Sequence, residues 1–272
     1  MLDARTPARA FFLSHGAPEL LLRENATTSF WSALGEVLGR PRAFLVASAH
    51  WTSAEVLVER GAAPRTIHDF GGFPAELYAQ RYPAPGDPAL ADEIAQRLVD
   101  AGIAARTAER GFDHGVWIPL ARLRAAADVP VIALSVQPRL DAAHHHAVGR
   151  ALAPLLEQGC VLVGSGGATH ALGELEAREA PRAPWAAEFQ RWLRDVLGRG
   201  ELASGLGWER FAPHARRNHP TVEHLLPLFV AWGGAGAGAR GRLLHEAFEH
   251  GVLSLAAFAF ERTSTPQPSI AP

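Results

Sequence analysis

The sequence predicts a single α/β domain in which helices flank a mostly parallel central sheet and the active site lies at the carboxyl ends of the strands. Three observations lead to this fold class. Strand-like and helix-like segments alternate along the chain, which is typical of parallel sheets with crossover helices. The strand-like segments are continuous apolar runs, as expected for strands buried on both faces. The length of 272 residues, 48% of them hydrophobic, is enough for one large core.

Five apolar runs have the length and composition of buried strands. The first four are separated by helix-like segments, and the fifth lies near the end of the chain. The runs are RAFFLS (9 to 14), AFLVASA (43 to 49), VPVIALSV (129 to 136), CVLVGSG (160 to 166) and VLSLAAFAFE (252 to 261).

Six segments carry apolar residues at helical spacing and are predicted to be helices. Connections rich in glycine and proline are expected at 61 to 74, 82 to 88 and 233 to 241. We expect one catalytic domain over residues 1 to 272, with its core at about 9 to 262 and a disordered tail at 263 to 272. The helical segments are about 28 to 38, 88 to 101, 116 to 126, 141 to 157, 185 to 197 and 221 to 232.

Composition excludes several classes of protein. All 26 basic residues are arginine, so an enzyme that needs a Schiff-base lysine or a phosphate-loop lysine is excluded. Cys160 is the only cysteine, which excludes an internal disulfide and a thiolate metal cluster. The net charge of −2 carries no basic block, so we expect a small-molecule partner rather than nucleic acid.

Two absences in the sequence concern membranes and targeting. No apolar signal segment begins the chain, and no continuous apolar run of about 18 residues occurs. We therefore expect a cytoplasmic protein with no membrane partner. The sequence does not indicate an oligomeric state.

Three histidines follow predicted strands. His15 and His50 each end an apolar run, and His170 comes a few residues after another run. In open α/β sheets the carboxyl ends of the strands share one edge, and the ligand crevice lies along that edge. These three imidazoles are therefore expected to converge.

Two further histidines lie beside predicted helix starts. His114 is expected in a glycine-flanked turn just before a helix. Pro220 is expected to begin another helix, with Glu223 and His224 in its first turn. Together with the three histidines at the strand ends, they predict a shared metal or catalytic site.

The other histidines have ordinary structural interpretations. Three consecutive ones on a helix cannot face one ion together, because neighbours differ by about 100°, and a solvated helix face is expected. His68 is kept as a candidate substrate contact in its loop, where Asp69 and Arg81 are expected to form a structural pair. The solvated face comprises His144, His145 and His146; His245 and His250 are expected at the surface, and His214 and His219 in loop packing.

A ligand set made only of histidines indicates a borderline transition metal, because magnesium and calcium prefer oxygen ligands. Such sites suit both Fe(II) oxygenases and catalytic zinc. Composition does not separate these two.

Six ordered motifs resemble the class III extradiol ring-opening dioxygenases, the LigB superfamily, and specifically its 4,5-DOPA dioxygenase branch. The resemblance runs from about residue 11 to 260, nearly the full chain. The motifs are SHGAP, SAHW, TIHDFGGFP, GFDHGVWIPL, GSGGATH and HPTVEHLLPL.

The resemblance implies one α/β domain that binds a mononuclear non-haem Fe(II), with zinc often found in its place. His15, His50 and His224 match metal-ligand positions. His170 matches the acid/base beside the metal, which is also a further ligand when zinc is bound. His114 matches a second active-site histidine that contacts substrate or oxygen. Protocatechuate-type members use a carboxylate as the third ligand, so Glu223 leaves the assignment of His224 open.

The activity that this resemblance implies is insertion of O2 into a catechol to give a ring-opened semialdehyde. A neutral histidine near the metal suits proton removal from the catechol at neutral pH. Two rival functions remain. The same histidines suit a zinc hydrolase in which Glu223 or His170 activates water, and they suit a metal-binding protein that acts through partners without catalysis.

Overall fold

The computed structural model describes residues 8–262, and ten strands occur among them. The tail expected at 263 to 272 lies outside the described residues. The strands are β1 (Ala10–Ser14), β2 (Phe44–Thr52), β3 (Val56–Glu59), β4 (Ala105–Ala108), β5 (Val131–Val136), β6 (Val161–Gly166), β7 (Ala239–His245), β8 (Phe248–Glu249), β9 (Leu253–Ser254) and β10 (Ala257–Arg262).

Eight of these strands form one sheet in the order β4, β3, β5, β2, β6, β1, β10, β7. The four central strands, β5, β2, β6 and β1, are parallel to one another. Antiparallel pairs occur only where β3 meets β5 and where β10 meets β1 and β7. The predicted fold, a mostly parallel sheet flanked by helices, is confirmed.

All six predicted helices are present, and four short ones accompany them. No helix of residues 8–262 is both long and apolar enough to cross a membrane. The helices are α1 (Ala26–Leu38), α2 (Ala75–Ala79), α3 (Pro88–Asp100), α4 (His114–Leu123), α5 (Ala142–Glu157), α6 (Pro184–Arg199), α7 (Leu202–Leu206), α8 (Trp208–Phe211), α9 (Ala215–Asn218) and α10 (Leu226–Gly234).

Alternate residues of each central strand enter two separate cores. On β1, Phe12 packs in the core under α3, α5, α6 and α10, whereas Phe11 and Leu13 pack in the core under α1 and α4. The same division holds for Leu45 and Val46 on β2. Because both faces are covered, the positions of these strands before their carboxyl ends are apolar or small, which explains the continuous runs in the sequence.

Several edge elements differ from the prediction. Strands β3 and β4 are only four residues long, and β7 alternates exposed arginines with buried residues at the far edge of the sheet. None of them makes the long apolar run that marks a central strand. The connection predicted at 233 to 241 is shorter, since β7 already begins at Ala239. The run at 252 to 261 is two strands, β9 and β10.

Helices α5 and α10 pack with their backbones in contact. A Cβ atom on Gly149 would lie 1.9 Å from the carbonyl oxygen of Val230, and one on Gly233 would lie 2.0 Å from that of His146. Only glycine allows this approach. In the same region α10 packs against β6. His224 lies just before α10, and His170 lies a few residues after β6.

Gly149→Ala is expected to lower the free energy of unfolding by about 1–3 kcal/mol. The added methyl group would clash with backbone atoms of α10, which cannot move aside as a side chain could. Gly198→Ala is the matched control. Gly198 is an exposed residue of α6, and the nearest atom to its Cβ position lies 3.9 Å away. Urea denaturation midpoints of the two variants provide the measurement, and equal midpoints would contradict the tight contact between α5 and α10.

Candidate metal centre

Two of the predicted histidines meet at the carboxyl ends of β1 and β2, the two parallel strands that flank β6. His15 directly follows β1, and its backbone N–H donates to the carbonyl oxygen of Gly166 at the end of β6, at 2.9 Å. His50 lies in the last part of β2, where the pairing with β5 is irregular. The two Nε2 atoms are 3.0 Å apart. The expected convergence therefore occurs.

His224 approaches the same point from the opposite side of the sheet edge. Its Nε2 lies 3.3 Å from that of His50. The prediction that Pro220 begins a helix is wrong, because residues 220–225 form a turn and α10 begins at Leu226. In a helix begun at Pro220, the ring of Pro227 would clash with the carbonyl of Glu223 four residues earlier.

This turn is tied to β6 rather than to its own helix. The carbonyl oxygen of His224 accepts the backbone N–H of Gly167 at 2.9 Å, and a Cβ atom on Gly166 would lie 2.0 Å from that oxygen. The glycines after β6 thus let the turn come close enough to aim His224 at His50.

His114 is the first residue of α4 rather than part of a turn before the helix, which corrects the sequence prediction. The side chain of Asp113 caps the helix by accepting the N–H of Val116 at 3.2 Å. Asp69 accepts the backbone N–H of His114 at 2.9 Å. The His114 ring lies 3.8 Å, centroid to centroid, from the ring of His50.

His170 lies flat against His224. The ring centroids are 3.3 Å apart and the planes differ by 11°. The backbone N–H of His170 donates to the carbonyl oxygen of Asn218 at 2.8 Å, which holds the loop after β6 against the end of α9. All five histidines that the sequence singled out therefore lie together.

In three of these histidines the outer ring nitrogen, Nδ1, lies near a polar group of another residue. The hydroxyl of Ser165 donates to the carbonyl oxygen of Gly115, so it accepts the Nδ1–H of His15 at 3.0 Å. His224 Nδ1 donates to Glu223 Oε1 at 2.9 Å. Nδ1 of His50 lies 3.6 Å from a carboxylate oxygen of Asp69. The Nδ1 atoms of His15 and His224 therefore carry the hydrogen and their Nε2 atoms present lone pairs, and the nearby Asp69 carboxylate favours the same tautomer in His50.

These three lone pairs face one another in a buried site. Burial and the neighbouring histidines hold the pKa values of His15 and His224 well below their usual range. Burial, followed by His114, lowers the pKa of His50 to about 3. Neutral imidazoles whose lone pairs converge repel one another unless a cation lies between them. Separations of 3.0 and 3.3 Å suit nitrogens that each bind one ion at about 2.0–2.1 Å.

The wider set of ligand atoms forms two groups that meet at this point. Those of His15, His50 and His114 lie within 4.8 Å of one another, and so do those of His170, Glu223 and His224. In the second group, Glu223 binds the outer nitrogen of His224 and also accepts the hydroxyl of Thr221 at 2.8 Å. A carboxylate behind a histidine in this way orients the ring toward a metal.

Asp69 belongs to the site, whereas the sequence interpretation paired it with Arg81. Arg81 instead donates to the carbonyl oxygens of Tyr78 and Gln80, both at 2.7 Å. Burial raises the pKa of Asp69, but the side chain and backbone N–H of His114 outweigh this effect and lower it to about 2. Its ionised Oδ1 lies 3.0 Å from Nδ1 of His114. No local sequence signal marks this contact, because the two residues are 45 positions apart.

A cavity of about 480 Å³ opens in front of the histidines, within the range typical of small-molecule sites. Its other walls are largely apolar. His68 is not among the described residues that line the cavity: its Nε2 lies 3.1 Å from the carbonyl oxygen of Gln80, and its ring packs against Phe70 and Trp117. The apolar walls include Phe70, Phe73, Leu172, Leu175, Leu253 and Leu255.

The remaining histidines have different surroundings. The prediction of a solvated face at 144 to 146 is wrong, because His145 and His146 are buried where α5 packs on neighbouring elements. His219 does pack in the interior, between Phe189 and Trp208. His250 lines the cavity.

Ser165→Ala is expected to weaken metal binding by about 10–100-fold, the usual cost of removing a partner that orients a metal-binding histidine. The variant leaves Nδ1 of His15 without its acceptor, so the ring loses its preferred tautomer. Ser135→Ala is a matched control, since Ser135 is a buried serine of β5 whose bonds lead to Ser53 and Gln137. Competition titration with a chelator measures both affinities. Equal affinities would remove Ser165 from the support of His15.

Comparison with known proteins gives consistent results in sequence and structure. Residues 10–260 match the family described as the catalytic LigB subunit of aromatic ring-opening dioxygenase. The chain is 41% identical to a 4,5-DOPA dioxygenase extradiol of Portulaca grandiflora, over 92% of this chain and 95% of that protein. It is 36% identical to one of Escherichia coli K12, over 94% of each.

A crystal structure of an uncharacterized protein from Escherichia coli K12 superposes on the chain with a TM-score of 0.76. The two share 32% identity, and the match covers 92% of this chain and 98% of that one.

Proposed function

Because the chain belongs to the LigB family and is an extradiol ring-opening dioxygenase, we propose that it uses non-haem Fe(II) and O2 to open a catechol ring. The product is a ring-opened semialdehyde. The observation that carries the proposal is the convergence of three imidazole lone pairs, with Nε2 separations of 3.0 and 3.3 Å. The names of the relatives support DOPA as the first catechol to test.

His15, His50 and His224 are the proposed metal ligands, with Glu223 as the support behind His224. When bound there, Fe(II) supplies the electron transfer between the catechol ring and dioxygen. Zinc has no accessible redox change, so a zinc-loaded form is proposed to bind catechol without opening it. Zinc in the purified protein is compatible with the same ligands.

His170 is the proposed main acid/base. Burial lowers its pKa to about 4, so at neutral pH the imidazole is uncharged and is a weaker base than a free histidine; we propose that it accepts the proton of a catechol hydroxyl that a bound metal would make more acidic. The same imidazole then returns the proton as the ring opens. Its stacking on His224 supports a position next to the ligands and also a role as a fourth ligand for zinc.

His114 is proposed to orient the substrate or dioxygen. Asp69 Oδ1 lies 3.0 Å from its Nδ1, and this carboxylate favours a hydrogen on Nδ1, which would leave Nε2 to interact in the site. His68 was predicted to contact substrate, and this contact stays a prediction: its ring packs against Phe70, which lines the cavity, whereas His68 is not among the lining residues.

The test is anaerobic reconstitution with Fe(II), followed by addition of oxygen and a panel of catechols. One O2 should be consumed for each ring opened, and the yellow ring-opened product should appear only with the iron form. Hydrolysis of esters or amides by the zinc form, at a rate above catechol turnover by the iron form, would favour the zinc hydrolase instead. Full metal loading without turnover of any catechol would favour the non-catalytic metal-binding protein.

A cytoplasmic location and the absence of nucleic-acid and membrane partners stay predictions. They do not enter the proposed reaction, which needs only the catechol, dioxygen and the metal.

A further inference from the structure

One pair of opposite charges lies on the wall of the cavity apart from the histidines. Arg178 and Glu19 both line the cavity and form an ion pair with each other. Their side chains are 25% and 22% exposed, so the pair is largely shielded from solvent yet reachable from the cavity. Glu19 lies only four residues after His15, which places this pair on the same side of the cavity as a proposed metal ligand.

Arg178 is held in position by its backbone. Its carbonyl oxygen accepts the N–H of His250 at 2.9 Å, and the N–H of Glu176 donates to the carbonyl oxygen of His250 at 3.1 Å. The turn between β8 and β9 therefore fixes the segment that carries Arg178. An arginine presented in this way loses little further conformational entropy when it binds a ligand.

Arg178 also keeps unused hydrogen-bonding capacity. Its Nη1 is buried and has no hydrogen-bond acceptor among residues 8–262. A carboxylate oxygen of Glu249, Oε2, lies 3.7 Å from Nη1, and Glu249 is already bound by Arg23 at 2.8 Å. Because Nη1 is buried, a ligand carboxylate in the cavity would reach Arg178 through the part of the guanidinium that now contacts Glu19.

The rest of the cavity suits an aromatic ring, with Phe70 and Phe73 in one wall. If the catechol ring of a ligand binds at the histidines and the ligand fills this cavity, the substituent on the ring lies beside Arg178 and Glu19. A carboxylate and an ammonium group on one carbon match an arginine and a glutamate that lie side by side.

We propose that Arg178 and Glu19 form a subsite for the amino-acid side chain of a catechol substrate, in which Arg178 binds the carboxylate and Glu19 binds the ammonium group. This inference rests on the proposed ring-opening function and deepens it by assigning the residues that recognise the substituent of the catechol ring. In the free protein the two residues neutralise each other. On binding, the zwitterionic substituent takes the place of each partner.

The experiment compares four catechols that differ only in the substituent. DOPA carries both charges, dopamine only the ammonium group, 3-(3,4-dihydroxyphenyl)propionate only the carboxylate, and 4-methylcatechol neither. Arg178→Gln should raise KM for DOPA and the propionate by about 10–100-fold, the range for a lost hydrogen bond to a charged group, and leave the other two within about threefold. Glu19→Gln should raise KM for DOPA and dopamine and spare the other two.

Arg182→Gln is the matched control, because Arg182 is an exposed arginine that pairs with Glu246 outside this cavity. It should leave KM for all four catechols unchanged. Arg178→Lys keeps the charge and should lose only part of the affinity for the carboxylate. Thermal melting of each variant establishes that the compared proteins are folded.

Binding of the four catechols to the zinc-loaded protein, measured by calorimetry, separates this inference from the proposed function. If the iron form opens no catechol, the function fails, whereas the zinc form still reports whether Arg178 selects carboxylates. If Arg178→Gln weakens all four ligands equally, or the wild-type protein binds 4-methylcatechol as tightly as DOPA, the subsite is wrong even though the ring-opening function stands.

Discussion

Replacing His15, His50 or His224 with alanine is expected to lower the bound metal far below one equivalent while the protein stays folded. Each change removes one of only three converging Nε2 atoms, so the loss of affinity should exceed the about 10–100-fold that follows loss of an outer partner. The fold should survive because the two cores are built by other residues, such as Phe12 and Leu45 on one face of the sheet.

Metal content after Fe(II) or zinc loading and desalting is the measurement, with circular dichroism as the check on folding. His214→Ala is the matched control, since His214 is an exposed histidine that pairs with Glu188. A full equivalent of metal in any of the three variants would remove that histidine from the ligand set.

A change at Glu223 tests whether His224 or the carboxylate beside it is the third metal ligand. Glu223→Gln should keep the metal, because glutamine still accepts the Nδ1–H of His224 through its amide oxygen. Loss of metal in Glu223→Gln together with retention in His224→Ala would reverse the assignment and make the carboxylate the ligand.

The second large effect concerns His170. A group that accepts a proton early and returns it later is used twice, so His170→Ala should reduce kcat by more than the about 10²–10⁴-fold assigned to one proton transfer. Its metal content should fall only in part. His114→Ala should bind iron normally and lose less of the rate, because that residue is proposed to orient rather than to transfer protons.

Iron content and kcat of both variants with one catechol decide between these roles. Asp69→Asn serves as a companion variant, since Asp69 contacts His114 directly and should reproduce part of the His114→Ala defect. If His114→Ala is the more damaging change, the two roles are exchanged. If neither change affects kcat, the histidine cluster is structural, and the oxygenase mechanism proposed for it is wrong.

The fold was largely predictable because the central strands are buried on both faces and leave long apolar runs in the sequence. Short edge strands leave no such run, which is why β3, β4 and β7 were missed. The start of α10 was placed too early because a proline suits either a turn or a first helical turn. Only the clash that Pro227 would create distinguishes the two.

The sequence by itself determined that His15, His50 and His170 would meet, because parallel strands of one sheet present their carboxyl ends at a common edge. It could not determine which side chains support them. Ser165 lies 150 positions from His15, and Asp69 lies 45 positions from His114. Arg178 lines the cavity from a segment whose backbone is hydrogen-bonded to the turn between β8 and β9. The tertiary structure decided these contacts, since neither hydrophobic periodicity nor local motifs encode which distant loops pack together.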